Sequence, residues 1–552
     1  MRWIFVFAFA ACHAGVQVSE LVIDGGAIAL RKRTATEAQS DPASTPILLL
    51  GFDGVSRELL YGLVREGKLP NLTALIGGLD HADLDERLLT NLPSTTIPAW
   101  TAAFTGTPAA VNGVPNNEYF IRETKTFAAP APVTFVDSAA TLEVYTQGAV
   151  NKLVLVPTLY EKIHATDPAA LIWVVLNHFF GGADTMFVAE RTAFVKMFAA
   201  FVEDGLPTEE RKVTSRKPYE ALDLGAIEAL LSHLDAGPVP DLLTLYISGT
   251  DLYAHVAREG PDQARRAYLV EVIDPALGRL VTKLRARGML EHRWVIVTAD
   301  HGHTPIIADE AHSIFTGNDD APGVMKAAWK LRPFRAKVAA NDPYNAVLAY
   351  GGAFAFVYLA DRSRCTGAAP CAWDAPPRYR EDVLATAEAF YRNDMTGQAA
   401  PGMRGALDMI FVREPVPVTA VDRPFEVYIG GGKTMAIDAY LAVHPHPTYV
   451  DVARRLEELA VGPHGERAGD VLLLAHGGDR DRPEDRFYFA APFRSWHGSP
   501  SRMDSEIPLI VANPHVRAAA IHAWVGAKLG DRPYQRKITD IVLGLREHAP
   551  SP

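Results

Sequence analysis

The chain has 552 residues, of which 48% are apolar and 22% charged. It is too long for one hydrophobic core, since cores stop growing near roughly 250–300 residues, and too apolar for a disordered chain. Its 54 Lys and Arg against 65 Asp and Glu give a net charge of −11, which excludes broad binding to extended nucleic acid, because that needs a basic surface.

In chain order, Met1 and Arg2 precede an apolar run from Trp3 to Ala11, and small residues follow. This predicts an export signal over residues 1–14 and a secreted or periplasmic protein. Phe9-Ala-Ala-Cys12 resembles a lipoprotein cleavage box, which leaves a lipid anchor at Cys12 open. No other stretch approaches the ~18 apolar residues of a membrane helix. Residues 15–46 read as a linker, polar from about Arg31 and with prolines near its end. Beyond it, short continuous apolar runs at 47–52, 171–176, 242–247, 294–299, 471–475 and 507–512 end abruptly in polar residues or Gly. Runs of this kind fit strands buried on both faces. Helical-looking stretches such as 265–287 lie between them. The alternation predicts an α/β, doubly wound, mostly parallel sheet with helices on both faces. The catalytic domain is expected over 47–514, with a cap-like insertion at about 305–445 and a helical tail at 515–552. Cys365 and Cys371, separated by Thr-Gly-Ala-Ala-Pro, are spaced to close a disulfide loop or to stand as separate thiols.

Ligands of open α/β sheets bind off the carboxyl ends of the strands. The first run ends in Asp53-Gly54; the third in Ser248-Gly-Thr-Asp251, with His255 one helical turn further on; the fourth in Asp300-His301-Gly302; and His497 precedes the last. Three Asp and three His suit Zn²⁺, with Mn²⁺ or Fe as alternatives. Six ligands divide into two sets of three, as a two-metal hydrolase requires. Ser94, Thr95 and Thr96, bracketed by Pro93 and Pro98 ahead of a helix, supply hydroxyls where backbone N–H groups favour a phosphoryl group. They serve equally as helix caps.

In this order the motifs resemble the alkaline phosphatase superfamily, in its type I phosphodiesterase / nucleotide pyrophosphatase branch. The resemblance places the nucleophile at Thr96 within Pro93-Ser-Thr-Thr96-Ile97-Pro98-Ala99. It puts Asn117 where the family's Asn hydrogen-bonds the phosphoryl oxygen. It divides the ligands, with Asp251, His255 and His497 for one zinc and Asp53, Asp300, His301 and the Thr96 oxygen for the other. It implies hydrolysis of a small phosphorylated substrate through a phospho-threonine. Ile97 stands where the family has a base-stacking Phe, so Ile97, Tyr119 and His178 are the expected substrate contacts, with Phe179 or Phe180 as further stacking candidates.

Three alternatives remain: a phosphomonoesterase, a sulfatase on the same scaffold, or an inactive binding protein. A sulfatase would need Cys or Ser in a Cys/Ser-x-Pro-x-Arg context, and no cysteine has one. Gly430-Gly-Gly-Lys433 is read as a loop rather than a phosphate loop. His444, His446, His464 and His476 with Asp479 are read as surface or loop histidines. His303 is assigned either to a supporting position or to solvent. Oligomeric state is not legible.

Overall fold

The computed structural model describes residues 25–31, 45–135, 148–204, 215–235, 238–365, 371–414 and 424–550. The expected signal segment and Cys12 lie outside the described residues. Among the described residues, an eight-stranded sheet forms the main layer. Its order is Gly26–Ala29, Thr185–Val188, Ile172–Val175, Leu242–Ile247, Ile47–Phe52, Trp294–Ala299, Leu509–Ala512, Ala82–Asp85. The five strands from Thr185–Val188 to Trp294–Ala299 run parallel. Every residue of Ile47–Phe52, Leu242–Ile247 and Trp294–Ala299 is buried. Successive side chains point to opposite faces, so both faces of these strands are covered, which explains their unbroken apolar sequence. This is the α/β class with a mostly parallel main sheet that the sequence predicts. The tail is helical as well: Ala518–Leu529 and Lys537–His548 pack back on the domain, and Thr539 Oγ1 donates to Ala103 O at 2.6 Å.

Three expectations are corrected. Gly26–Ala29, assigned to the linker, is an edge strand antiparallel to Thr185–Val188; with Ile28 its one β-branched residue, it carries little strand signal of its own. Leu509–Ala512 is antiparallel to both neighbours, within the mostly parallel sheet expected. Val471–Ala475 does not belong to the main sheet. It is an inner strand of a second, six-stranded sheet, antiparallel throughout, with Ala346–Gly351, Phe354–Leu359, Leu407–Val412, Glu426–Tyr428 and Thr434–Ala436. The inserted lobe therefore extends beyond 445 to at least 475. Gly430, Gly431 and Gly432, all at positive φ, turn the hairpin between Glu426–Tyr428 and Thr434–Ala436, so this segment is a turn. Cys365 and Cys371 are joined as a disulfide.

Glu118, next to Asn117, ties the segment at Val133 and Thr134 to the second sheet. Its Oε2 accepts from Val133 N, Thr134 N and Thr134 Oγ1 at 2.9–3.0 Å, and its Oε1 from Tyr350 N at 2.7 Å on the second sheet. Glu118→Ala leaves these buried donors without an acceptor. That should cost about 3 kcal/mol, read as a lowered thermal melting midpoint; an unchanged midpoint would contradict this role.

Candidate active site

The parallel strands deliver Asp53 and Asp300 from neighbouring ends. Asp53 N donates to Ile247 O at 2.9 Å, and Gly54 N donates to Asp300 Oδ1 at 3.0 Å. Gly54 lies at φ +68°, and a Cβ there would stand 2.6 Å from His303 Nε2, so only glycine lets the chain pass. Gly302 is required for a different reason: a Cβ would meet Met503 O at 1.9 Å, where Gly302 N already donates to Asp504 O. Asp251 and His255 lie one turn apart on the helix Gly249–Val256. Asp223 holds the start of that helix, accepting from Ser248 N, Ser248 Oγ and Gly249 N. Thr96 opens the helix Thr96–Thr105, and its Oγ1 lies 3.1 Å from His301 Nε2.

These side chains form three overlapping groups: Asp53, Asp300 and His301; Asp251, His255 and His303; and Asp251, His301 and His497. Within each group the candidate ligand atoms lie within 4.8 Å of one another. His497 stacks on His301, with ring centroids 3.6 Å apart against 5.3 Å to His255. His303 was read from sequence as supporting or solvent-facing. It is buried, and its Nε2 stands 2.6 Å from Asp251 Oδ1. A spacing of two after His301, on an extended stretch, was the signal that could have found it.

The four imidazoles are oriented alike. His255 Nδ1 pairs with Ser495 O at 2.7 Å, His301 Nδ1 with Gly302 O at 2.9 Å and His497 Nδ1 with Ser94 O at 2.9 Å. Ser495 Oγ donates to Ala254 O and so accepts from His303 Nδ1 at 3.1 Å. Each ring thus commits its Nδ1 proton to the protein and, when neutral, turns an Nε2 lone pair towards a carboxylate. Lone pair against lone pair is repulsive unless a cation lies between. Asp53 Oδ1 and Asp300 Oδ2, both buried, have no hydrogen-bond partner. Burial, with Asp300 and Asp251 nearby, pushes the Asp53 carboxyl well above its usual range; burial raises Asp300 too. Burial also acts to raise Asp251, but His255 and His303 hold it well below. His303 and His497 are pushed down by burial. The donor set therefore fits divalent cations, which would relieve both the lone-pair contacts and the carboxylate repulsion.

Asn117 is buried, and its Oδ1 accepts from Ile97 N at 2.9 Å, tying it to the first turn of the Thr96 helix. The other expected substrate contacts are corrected. Ile97 is 1% and Tyr119 0% exposed; both belong to the hydrophobic core and present no free face. Phe179 is also core. His178 is buried, and its ring packs edge-on against Tyr246, whose hydroxyl donates to Asp53. It is one ring removed from the carboxylate. Burial pushes the His178 imidazole down to about 3. The side chains packed on His255 are Trp496, Phe493 and Phe201, none of which the sequence reading selected.

The family model described as type I phosphodiesterase / nucleotide pyrophosphatase matches residues 47–370. The chain belongs to this family. It is accordingly a phosphoric ester hydrolase of a metal-dependent family. Solved structures of murine ectonucleotide pyrophosphatase / phosphodiesterase 5 are similar in fold at 12% identity, covering 92% of this chain and 96% of theirs. One, an inactive threonine-to-alanine variant in complex with AMP, has a TM-score of 0.48, and another has 0.46. No curated protein matches the chain in sequence. No helix among the described residues is long and apolar enough to cross a membrane.

Proposed function

We propose that the chain hydrolyses small phosphodiesters or pyrophosphates through a covalent phospho-threonine on Thr96, with two Zn²⁺ held by the Asp/His cluster. The observation that carries this is the convergence of four Nε2 lone pairs and two partnerless carboxylate oxygens beside the Thr96 hydroxyl. Asp53, Asp300, His301 and Thr96 would hold one ion, and Asp251, His255, His303 and His497 the other. The bound ions would neutralise the phosphate and lower the pKa of the Thr96 hydroxyl.

The protein's own groups account for the rest. Thr96 Oγ1 attacks phosphorus in line, forming the O–P bond as the leaving oxygen departs on the far side. Asn117, with Oδ1 committed to Ile97 N, keeps its Nδ2 to donate to a phosphoryl oxygen. Water then cleaves the phospho-threonine. Phe493, half-buried and stacked on the buried Trp496 with centroids 5.4 Å apart beside His255, offers an aromatic face suited to a nucleoside leaving group. The disulfide supports a secreted or periplasmic location.

The test combines zinc analysis with hydrolysis of bis-p-nitrophenyl phosphate, p-nitrophenyl phosphate and p-nitrophenyl sulfate. The diester should be cleaved fastest and the sulfate slowest. Preference for the sulfate, or inactivity on all three with zinc bound, would overturn the assignment.

A further inference from the structure

We propose a third divalent-cation site, for zinc, at the edge of the inserted lobe, held by Asp408, His446, His476 and Asp479. These residues come from three separate segments. Asp408 sits at an irregularity of the strand Leu407–Val412, where Leu407 faces Ala475 but Met409 faces Leu474. The extra residue leaves the ladder and re-aims a side chain that regular pleating would place elsewhere. His476 directly follows the partner strand, Val471–Ala475, and Asp479 closes a turn from it. Asp479 Oδ1 accepts from Gly477 N at 2.7 Å, and its Oδ2 faces His476 and the Arg480 guanidinium, whose Nε is 3.3 Å away.

The donor atoms converge. His476 Nδ1 is 2.8 Å from Asp479 Oδ2 and 3.6 Å from Asp408 Oδ1, and His446 Nε2 is 3.5 Å from the same Oδ1. Zn–N and Zn–O bonds near 2.1 Å in a tetrahedron put donors about 3.4 Å apart, so small shifts would admit an ion. Tyr449 donates to Asp408 Oδ2 at 2.6 Å, which fixes the carboxylate and leaves Oδ1 for the site. Two carboxylate oxygens and two imidazole nitrogens are a zinc donor set. Asp408 and Asp479 are nearly buried, at 4% and 5% exposed, while His476 and His446 are reached from solvent at 12% and 17%. An ion can therefore enter.

One group competes. The Arg480 guanidinium lies against His476, with Nη2 2.8 Å from Nε2 and Nε 3.2 Å from Nδ1. Half exposed, it is free to swing away when a cation takes Nδ1. The site would clamp the 446–449 segment to the second sheet. Tyr449 also bridges to Ser501, on the loop that follows His497.

The experiment is zinc analysis of the full chain, equilibrated with Zn²⁺, for the parent, Asp408→Asn, His476→Gln and Arg480→Ala. The first two variants should each hold one zinc fewer than the parent, whatever the catalytic cluster holds. Their kcat on bis-p-nitrophenyl phosphate should stay within about twofold, as expected of a change away from the reacting groups. Arg480→Ala keeps every ligand and should retain the ion against about tenfold more chelator. Equal zinc in parent and ligand variants would overturn the proposal, as would an Arg480→Ala protein that retains zinc no better. A ligand variant that loses activity with its zinc would assign the ion to the catalytic set and overturn the separate site.

Discussion

A Thr96→Ala protein should lose turnover of bis-p-nitrophenyl phosphate by about 10⁴-fold or more, as other enzymes do when an activated nucleophile is removed. Its zinc should remain, because Asp53, Asp300 and His301 stay in place. The substitution removes the hydroxyl 3.1 Å from His301 Nε2 and the adjoining γ-methyl, at the first position of a helix whose backbone is unchanged. Thr96→Ser restores the oxygen and should recover most of the rate. Acid-quenched parent enzyme should carry one phosphate on the peptide containing Thr96, detected by mass spectrometry, and the alanine variant none. Near-parental turnover in the alanine variant would remove the nucleophile assignment.

Asp300→Asn should lower turnover on the order of 10³-fold, the scale of several kcal/mol that metal charge stabilisation supplies. It should also release about one metal equivalent. The substitution is nearly isosteric. The amide oxygen can still accept from Gly54 N and His301 N, at 3.0 and 2.9 Å. What changes is Oδ2, buried and without a hydrogen-bond partner in the protein, which becomes an NH₂ that cannot bind a cation. Compared metal-free with metal-free, the thermal midpoint should therefore hold or rise, since a desolvated carboxylate is removed. Metal analysis and calorimetry on the same preparation separate this from unfolding. Full metal content with full activity would refute the role.

Asp53, Asp251, Asp300 and His301 were legible because each follows a strand buried on both faces. A parallel sheet sends all such ends to one side. The same signal fails elsewhere. Val471–Ala475 is as apolar as Ile47–Phe52, yet it is antiparallel and belongs to the other sheet; burial on both faces erases the alternation that separates the two cases. Position along a motif does not fix side-chain direction either. Ile97 is one residue past Thr96, about 100° around a helix, and so faces the core while Thr96 faces the cluster. Tyr119 lies on a strand whose buried face takes its ring. Asp408 could not have been paired with His446 and His476, because only the strand irregularity aims it at them.

The antiparallel strand Leu509–Ala512 inserts last between two strands made much earlier, and the loop before it carries His497. During synthesis, Asp53, Thr96, Asp251 and Asp300 all emerge before the inserted lobe does. The histidine that stacks on His301 arrives only when that lobe has left the ribosome and the chain has doubled back. A nascent chain halted anywhere in the lobe lacks both the strand and the imidazole. Under the proposed ligand set, a chain that stops within the lobe therefore lacks one ligand of the second ion.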